Sequence, residues 1–498
     1  MAFRTCARHA GRVCASRAVN SARFTTHRRN ASSQAAAAVG SNLSSEAQDK
    51  IHKDASLPTP DPPIDSATNA LVSDQLPYMV PTYVRPPPMF VKGEGCYLWD
   101  VENRRYLDFT AGIAVNALGH CDPETAKLLA QQSKTLVHTS NLYHNPWTGS
   151  LSKLLVTLSN QASRHSGSSN PPFSRAFISN SGSEANEAAL KFARKVGKTR
   201  SENTSIPKNE ILSFHSSFHG RTLGSLSATP NPKYQAPFLP LIPGFVHGDY
   251  NDTASIASLI TPQTCGVIVE PIQGEGGVNV ASTEFLSAIR QRCNETGAVL
   301  IYDEIQCGLS RTGSLWAHQS LNSETSSDIS PDILTTAKAL GNGYPIGATL
   351  VSEAVASAIV TGDHGTTFGG NPLGSRVAHS IVSRLASPTL QSSVLAKEKI
   401  FRSHFARLQQ RFPGLITEIR GKGLILGLQL SRDPTPVITA ARERGLLVIT
   451  CGTDTLRFVP PLVVSDQEID EGMAVLEEAM GVVFKDGEDV EGTLLKGK

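Results

Sequence analysis

Between residues 175 and 340 the chain alternates short apolar runs with segments of helical period. "RAFISN", "EILSFH", "CGVIVE", "AVLIYD" and "DILTTAK" have the length and β-type content of buried strands. After the first, "EANEAALKFARKV" sets Ala185, Ala188, Ala189, Phe192, Ala193 and Val196 at helical spacing. "STEFLSAIRQRCNETG" is a second helical segment. Strands alternating with helices predict a mostly parallel sheet with helices on both faces, in a large domain over residues 146–375. Three polar stretches, 159–172, 197–208 and 318–330, read as surface loops.

The flanks have a different pattern. "GEGCYLWDVENRRYLDFTAG" alternates like a hairpin, with Tyr97, Trp99 and Val101 on one face and a turn at Glu102-Asn103. It lies in a segment, 77–145, expected to be the N-terminal part of a smaller domain. Beyond residue 375, helices near 378–386 and 393–411 lead into "ITEIRGKGLILGLQL", "LLVIT" and "TLRFVPPL". A last amphipathic helix follows near 466–480. This predicts an α+β small domain over 376–485, with a tail at 486–498. Residues 46–76 are polar and punctuated by Pro58, Pro60, Pro62 and Pro63, which reads as a linker or mobile arm. No internal repeat is visible.

Composition changes the picture at one end. Residues 1–45 hold seven arginines (Arg4, Arg8, Arg12, Arg17, Arg23, Arg28 and Arg29), and the first acid is Glu46. A positive, acid-poor, Ser- and Ala-rich leader is the composition of a mitochondrial transit peptide. A basic tail for nucleic acid is the alternative, but the arginines are spread singly and the first lysine is Lys50. The expected location is the mitochondrial matrix. The overall charge of +2 depends on this leader, and the remaining body is mildly acidic, which argues against nucleic acid as a partner. There is no run of eighteen apolar residues, hence no predicted membrane span. Eight cysteines lie scattered without a CxxC pair or metal spacing, so a reduced state and no metal site are expected.

Candidate chemistry collects at strand ends. In "SNSGSEANEAAL" a polar turn with Gly182 and Ser183 opens a helix; its free amides suit an anion, although plain N-capping by Ser181 or Ser183 reads equally well. "SFHSSFHGRT" places Phe218 where a ring could stack on a flat cofactor, and Arg221 where a fork of donors could hold a carboxylate. An isolated arginine is more often a surface residue. "VEPIQGEGG" ends a strand at Glu270 and carries Gln273 and Glu275 in a glycine loop; "LIYDEIQCG" ends the next at Asp303 and Glu304. The carboxyl ends of parallel strands are where open α/β sheets bind ligands. Two acids could hold a metal, but no histidine joins them at ligand spacing.

Lys338 is the odd residue. It follows the apolar strand of "PDILTTAKALGNGYPIG", at the end of what reads as a buried strand in the same sheet. An amine aimed into such a crevice has a depressed pKa and suits Schiff-base chemistry. The ring nitrogen of pyridoxal phosphate needs an acid such as Asp303, its phosphate a helix N-terminus such as Gly182-Ser183, and its ring a neighbour such as Phe218. Three separate oddities thus fit one cofactor, pyridoxal 5'-phosphate.

"SGSEANEAALKFAR", "FHGRT", "EPIQGEGG", "DEIQCGLSRTG", "TTAKALGNGYPIGA", "TFGGNPL" and "LRFVPPL" resemble, in order, the class III pyridoxal-phosphate aminotransferases from about residue 80 to 480. Within the class, "YLDFTAGIAVNALGH" and "HGTTFGGNPLG" are most similar to the acetylornithine aminotransferases, and with the leader to their mitochondrial members of arginine synthesis. The resemblance implies the fold-type-I transferase fold, with a large domain bearing a mostly parallel sheet and a smaller α+β domain. It implies transfer of the δ-amino group of N2-acetylornithine to 2-oxoglutarate, giving N-acetylglutamate 5-semialdehyde and glutamate. It also implies roles. Lys338 would bear the cofactor, Asp303 would pair with the pyridinium nitrogen, Gln306 would bond the ring hydroxyl and Phe218 would stack on the ring. Gly182 and Ser183 would hold the phosphate, helped by Thr367 of the partner subunit in a homodimer. Arg221 would grip the carboxylate far from the reacting amine. Arg457 would bind the α-carboxylate of glutamate or 2-oxoglutarate, masked by Glu275 while the δ-amine reacts. Thr366, Ile113 and Tyr83 would complete the substrate side.

The sequence departs from the family pattern in small ways. Ser183 replaces a commoner threonine, and "CGLSRTG" varies a commoner "CGMGRTG". At position 113, ornithine aminotransferases tend to have tyrosine; Ile113 suits an acylated amine better. The rival readings are an ω-aminotransferase for ornithine or 4-aminobutyrate, an isomerase or decarboxylase on the same scaffold, and a catalytically dead binding protein.

Overall fold

A computed structural model of the chain describes residues 60–165, 172–201, 205–322 and 328–484. The expected leader and C-terminal tail lie outside these residues. The centre is a seven-stranded sheet. Its strands are β1 (Arg175–Ser179), β2 (Glu210–Phe214), β3 (Phe245–Gly248), β4 (Thr264–Val269), β5 (Val299–Asp303), β6 (Ile333–Thr336) and β7 (Gly347–Val351). Across the sheet they run β1-β7-β6-β5-β4-β2-β3. The neighbours from β6 to β3 pair in parallel, while β7 runs against both β6 and β1. The mostly parallel expectation therefore holds, with β7 as the reversed strand. Neither β3 nor β7 is among the strands expected from the sequence.

The helix Gly182–Ser201 crosses the sheet on a face of small residues: Ala185, Ala188, Ala189 and Ala193 are fully buried. Such side chains let the backbone lie close to the strands. Strands β4, β5, β6 and β7 are buried along their whole length, as covering on both faces requires.

Two smaller sheets flank this centre. Phe90–Glu94, Tyr97–Asp100 and Arg105–Asp108 form an antiparallel meander, and Leu446–Leu447 adds in parallel to its last strand. The N-terminal hairpin thus shares a sheet with the C-terminal part of the chain. Ile416–Lys422, Ile425–Leu430, Thr455–Phe458 and Ile449–Cys451 make the other, antiparallel sheet. Phe109, Phe401, Phe405 and Phe458 cluster beneath them, with Phe405 and Phe458 centred 5.0 Å apart. The late helices span Pro372–Leu385, Pro388–Arg411 and Asp466–Val483, the last opened by a capping box between Ser465 and Glu468.

Among the described residues, parts of the three expected loops are helical or buried. The helix Pro146–His165 runs into the first stretch and buries Ser159 and Ser163, and Gly182–Ser201 runs into the second. Lys208 is buried and donates to the carbonyls of Pro262 and Thr296. In the third, Ala317–Asn322 is helical and Ile329 is fully buried. The described part of the expected linker is also anchored. Ala67–Gln75 is a helix capped by Ser66, and Asp61 takes two bonds from Arg442 at 3.0 and 2.7 Å.

Candidate active site

The carboxyl ends of the parallel strands open onto a cavity of about 310 Å³. Its walls include Gly182, Ser183, Phe218, Glu270, Asp303 and Lys338. Gly182 and Ser183 share one turn, and the other four come from four further strand ends at the same sheet edge, as expected for an open α/β sheet.

Lys338 opens a short 3-10 turn just after β6 and sits in the left-handed backbone region at φ 43°. A non-glycine residue there is strained, and such strain gathers at functional sites. Burial, with the Arg457 guanidinium second, lowers its amine to about 8. A sizeable fraction is then neutral near physiological pH.

Asp303 is 3% exposed and anchored on three sides. Asn186 donates to its Oδ2 at 2.8 Å, the His219 Nδ1 lies 2.8 Å from the same oxygen, and the Ile305 amide reaches Oδ1 at 3.1 Å. Asn186 is itself held by Thr335 of β6 and donates to the His219 carbonyl. Asn186 and His219 have no assigned role in the sequence analysis. The motifs "SEANEAAL" and "FHGRT" contain them, but a polar residue in a helix and a histidine in a loop give no periodic signal. Beside Asp303, the Glu270 carboxyl accepts from the Phe218 amide at 3.0 Å. Burial first, and then Asp303, raise its pKa well above the usual carboxylate range.

The polar turn before the helix Gly182–Ser201 does both things its sequence allows. Ser181 Oγ accepts from the Glu184 amide at 3.2 Å and caps the helix. Gly182 and Ser183, whose amides precede any intrahelical acceptor, line the cavity at the positive end of the helix dipole. A side chain on Gly182 would approach Ile305 to 2.8 Å, and one on Gly220 would collide with Ser183 Oγ.

Gln306 also lines the cavity and accepts from Arg457 Nη1 at 3.1 Å. Arg457, only 1% exposed, reaches Glu275 with Nη2 at 2.9 Å. Gln306 is pressed so tightly on the loop before Glu275 that a side chain at Gly274 would overlap its amide.

The other expected residues lie outside the cavity lining of the single chain. Arg221 is exposed, with its guanidinium carbon 3.6 Å from the Tyr234 ring centre. Thr366 bonds within the chain to Asn180 at 3.0 Å, and Thr367 is exposed. Tyr83 is 69% exposed. Ile113, at 43% exposure, sits in a left-handed run from Ala111 to Ala114, and this run carries Val115 rather than Ile113 to the cavity wall. Glu304 turns away from the cavity and caps the helix Ala317–Asn322, accepting from the amides of Ala317 and His318. Among the described residues no group of three His, Cys, Asp or Glu could hold a metal, and no helix is long and apolar enough to cross a membrane.

An amine of lowered pKa, an anchored carboxylate, an aromatic wall and a helix N-terminus surround one cavity, a set of groups that could hold a carbonyl cofactor. The sequence agrees: residues 78–480 match the family described as "Aminotransferase class-III", and the chain belongs to it. It is 58% identical over 484 residues to the mitochondrial acetylornithine aminotransferase of Neurospora crassa, covering 97% of this chain and 99% of that one. With the Saccharomyces cerevisiae protein of the same name it shares 44% over 420 residues, covering 83% and 96%. Among solved structures, the N-acetylornithine aminotransferase of Stenotrophomonas maltophilia is 36% identical with a TM-score of 0.68, covering 83% of this chain and 99% of that one. The ornithine aminotransferase of Toxoplasma gondii is 31% identical with a TM-score of 0.75, covering 84% and 96%.

Proposed function

We propose that the protein transfers the δ-amino group of N2-acetylornithine to 2-oxoglutarate, giving N-acetylglutamate 5-semialdehyde and glutamate. The observation that carries this reading is the placement of Arg457, buried behind the cavity wall and shared between Glu275 and Gln306. One site must admit an ω-amine, with no carboxylate beside the reacting carbon, and then glutamate, which has one there. Glu275 would mask Arg457 through a charge-assisted bond in the first half-reaction and release it in the second.

The cavity fits pyridoxal 5'-phosphate, which when bound supplies the carbonyl that takes up the amino group and a ring that withdraws electrons. Gly182 and Ser183 would hold the phosphate on their free amides, with Thr367 of the partner subunit. Phe218 would cover the ring, and Gln306 would donate its amide N–H to the ring hydroxyl. Asp303, fixed by Asn186 and His219, would hold the proton at the ring nitrogen. Lys338 would anchor the cofactor carbon and then carry a proton to and from the δ-carbon of the substrate. Arg221 would hold the distal carboxylate of the substrate, and Thr366, Ile113 and Tyr83 would border it.

The active form would be a homodimer in the mitochondrial matrix. Supporting the dimer, Tyr78, Val80, Tyr83, Val84 and Phe368 are exposed apolar side chains, the last beside Thr367. Supporting the location is the acid-free, arginine-bearing leader. Initial rates on N-acetylornithine, ornithine and 4-aminobutyrate, measured in parallel on purified holoenzyme, test the substrate. N-acetylornithine should lead by a wide margin in kcat/KM; a higher value for either rival overturns the assignment.

A further inference from the structure

Arg221 is held in an unusual way. Its guanidinium carbon lies over the Tyr234 ring, 3.6 Å from the ring centre, and 5.3 Å from the centre of Phe218. Phe218 and Tyr234 meet edge to face, with centres 6.2 Å apart, so the three side chains form one stack that starts at the cavity wall. Among the described residues no carboxylate pairs with Arg221. Its backbone is fixed on the cavity side, where its amide donates to Ser183 Oγ at 3.3 Å.

The support for the ring is built as well. Tyr234 sits in the turn Pro232–Gln235, which Asn231 caps by accepting from the Lys233 amide. Gln235 pins this turn to the neighbouring helix by donating to the Leu226 carbonyl at 2.9 Å. Tyr234 is half-buried, while Arg221 is exposed.

This mode of anchoring has a chemical consequence. An arginine fixed by an acid is already neutralised, and its donors are used. An arginine fixed by a ring face keeps its full charge and its in-plane N–H fork. Ring stacking thus sets the position of the cation without consuming what an incoming carboxylate needs. We infer that Tyr234 is a positioning residue for the distal carboxylate of the substrate, acting through Arg221. The inference rests on the reading of Arg221 as the carboxylate grip. Tyr234 would touch no reacting atom; it reduces the side-chain freedom that Arg221 must lose when the substrate binds.

The test compares two amino donors on the holoenzyme: N-acetylornithine, and N-acetyl-1,4-diaminobutane, which is the same donor without its carboxylate. The readout is the ratio of their kcat/KM values from single-turnover absorbance changes of the bound cofactor. In Tyr234→Leu this ratio should fall about three- to tenfold, the size of one cation–π contact. The fall should come from N-acetylornithine alone and appear in KM more than in kcat. Tyr234→Phe keeps the ring face and should restore the wild-type ratio. Arg221→Gln should lower the ratio at least as far as Tyr234→Leu. If Tyr234→Leu slows both donors by the same factor, or Tyr234→Phe behaves like Tyr234→Leu, the ring does not position the arginine and the inference is overturned. If Arg221→Gln leaves the ratio unchanged, the carboxylate reading of Arg221 fails first and takes the inference with it.

Discussion

Asp303 and Glu304 stand side by side at the carboxyl end of β5, both buried and each against a histidine. The His219 ring nitrogen is 2.8 Å from Asp303, and that of His318 is 2.7 Å from Glu304. Each imidazole leaves its Nε2 without a partner. By type, burial and partner the two acids are near equals, yet they do different work. Successive side chains along a strand point to opposite faces. Asp303 therefore lines the cavity, while Glu304 faces the other way and takes up the first amides of the helix Ala317–Asn322. One residue of register separates a site acid from a scaffold acid. The remaining donors to each carboxylate mark its role: the Asn186 side chain for Asp303, and the amides of Ala317 and His318 for Glu304.

Substitutions on the two faces should separate activity from stability. The largest effect is expected on the cavity face, where Lys338→Ala removes the amine proposed to attach the cofactor and to carry the proton. Steady-state turnover should be absent, with circular dichroism unchanged. Measurable turnover in that variant would contradict the assignment of Lys338. Next, Asp303→Asn keeps the shape and loses the acid. Its kcat should fall by about 10²–10⁴-fold, the span typical of a lost proton-holding group. Its thermal midpoint should stay close to that of the wild type, and a wild-type rate would make Asp303 another Glu304.

Glu304→Ala should do the reverse. It strips a buried acceptor from the His318 ring and from two backbone amides, at a cost of about 3–5 kcal/mol. The thermal midpoint should drop, while activity per folded molecule, titrated by bound cofactor, stays near wild type. A variant as stable as wild type but inactive would move Glu304 into the site.

How far such roles can be read from sequence follows from where their signals lie. Strands β1, β2, β4, β5 and β6 are legible as apolar runs, and the helix Gly182–Ser201 as a row of alanines. Strand β7 is not, because "GATLV" follows directly on a glycine loop and its reversed pairing is a tertiary fact. Ser159, Ser163 and His318 read as loop residues, since polarity is a poor guide where a helix buries its own hydroxyls or a carboxylate waits on the other side. At the site, Lys338 and Asp303 stand out because a charged residue ending an apolar run is locally odd. Asn186, His219 and Tyr234 pass unnoticed, because their meaning lies in what they hold.

The smallest effect concerns Lys338 in the cofactor-free enzyme, on the cavity side of the same comparison. Its amine is lowered to about 8 in the folded chain, chiefly by burial, against the ordinary 10.5. Below about pH 8 both the folded and unfolded chains carry the proton, and the folded chain bears a poorly solvated charge. Between about 8 and 10.5 the unfolded chain still binds the proton while the folded chain has released it. The unfolded state then holds more protons, so this group makes stability rise with pH across that window. Lys338→Met removes the group at similar length. Its thermal midpoint should exceed that of the wild-type apoprotein by a few degrees at pH 7, and the gap should close as pH approaches 10. Subtracting the two curves cancels the titration of every other group that the substitution leaves alone. A gap independent of pH would mean that methionine merely packs better, and that the Lys338 amine is solvated as freely as an ordinary surface lysine.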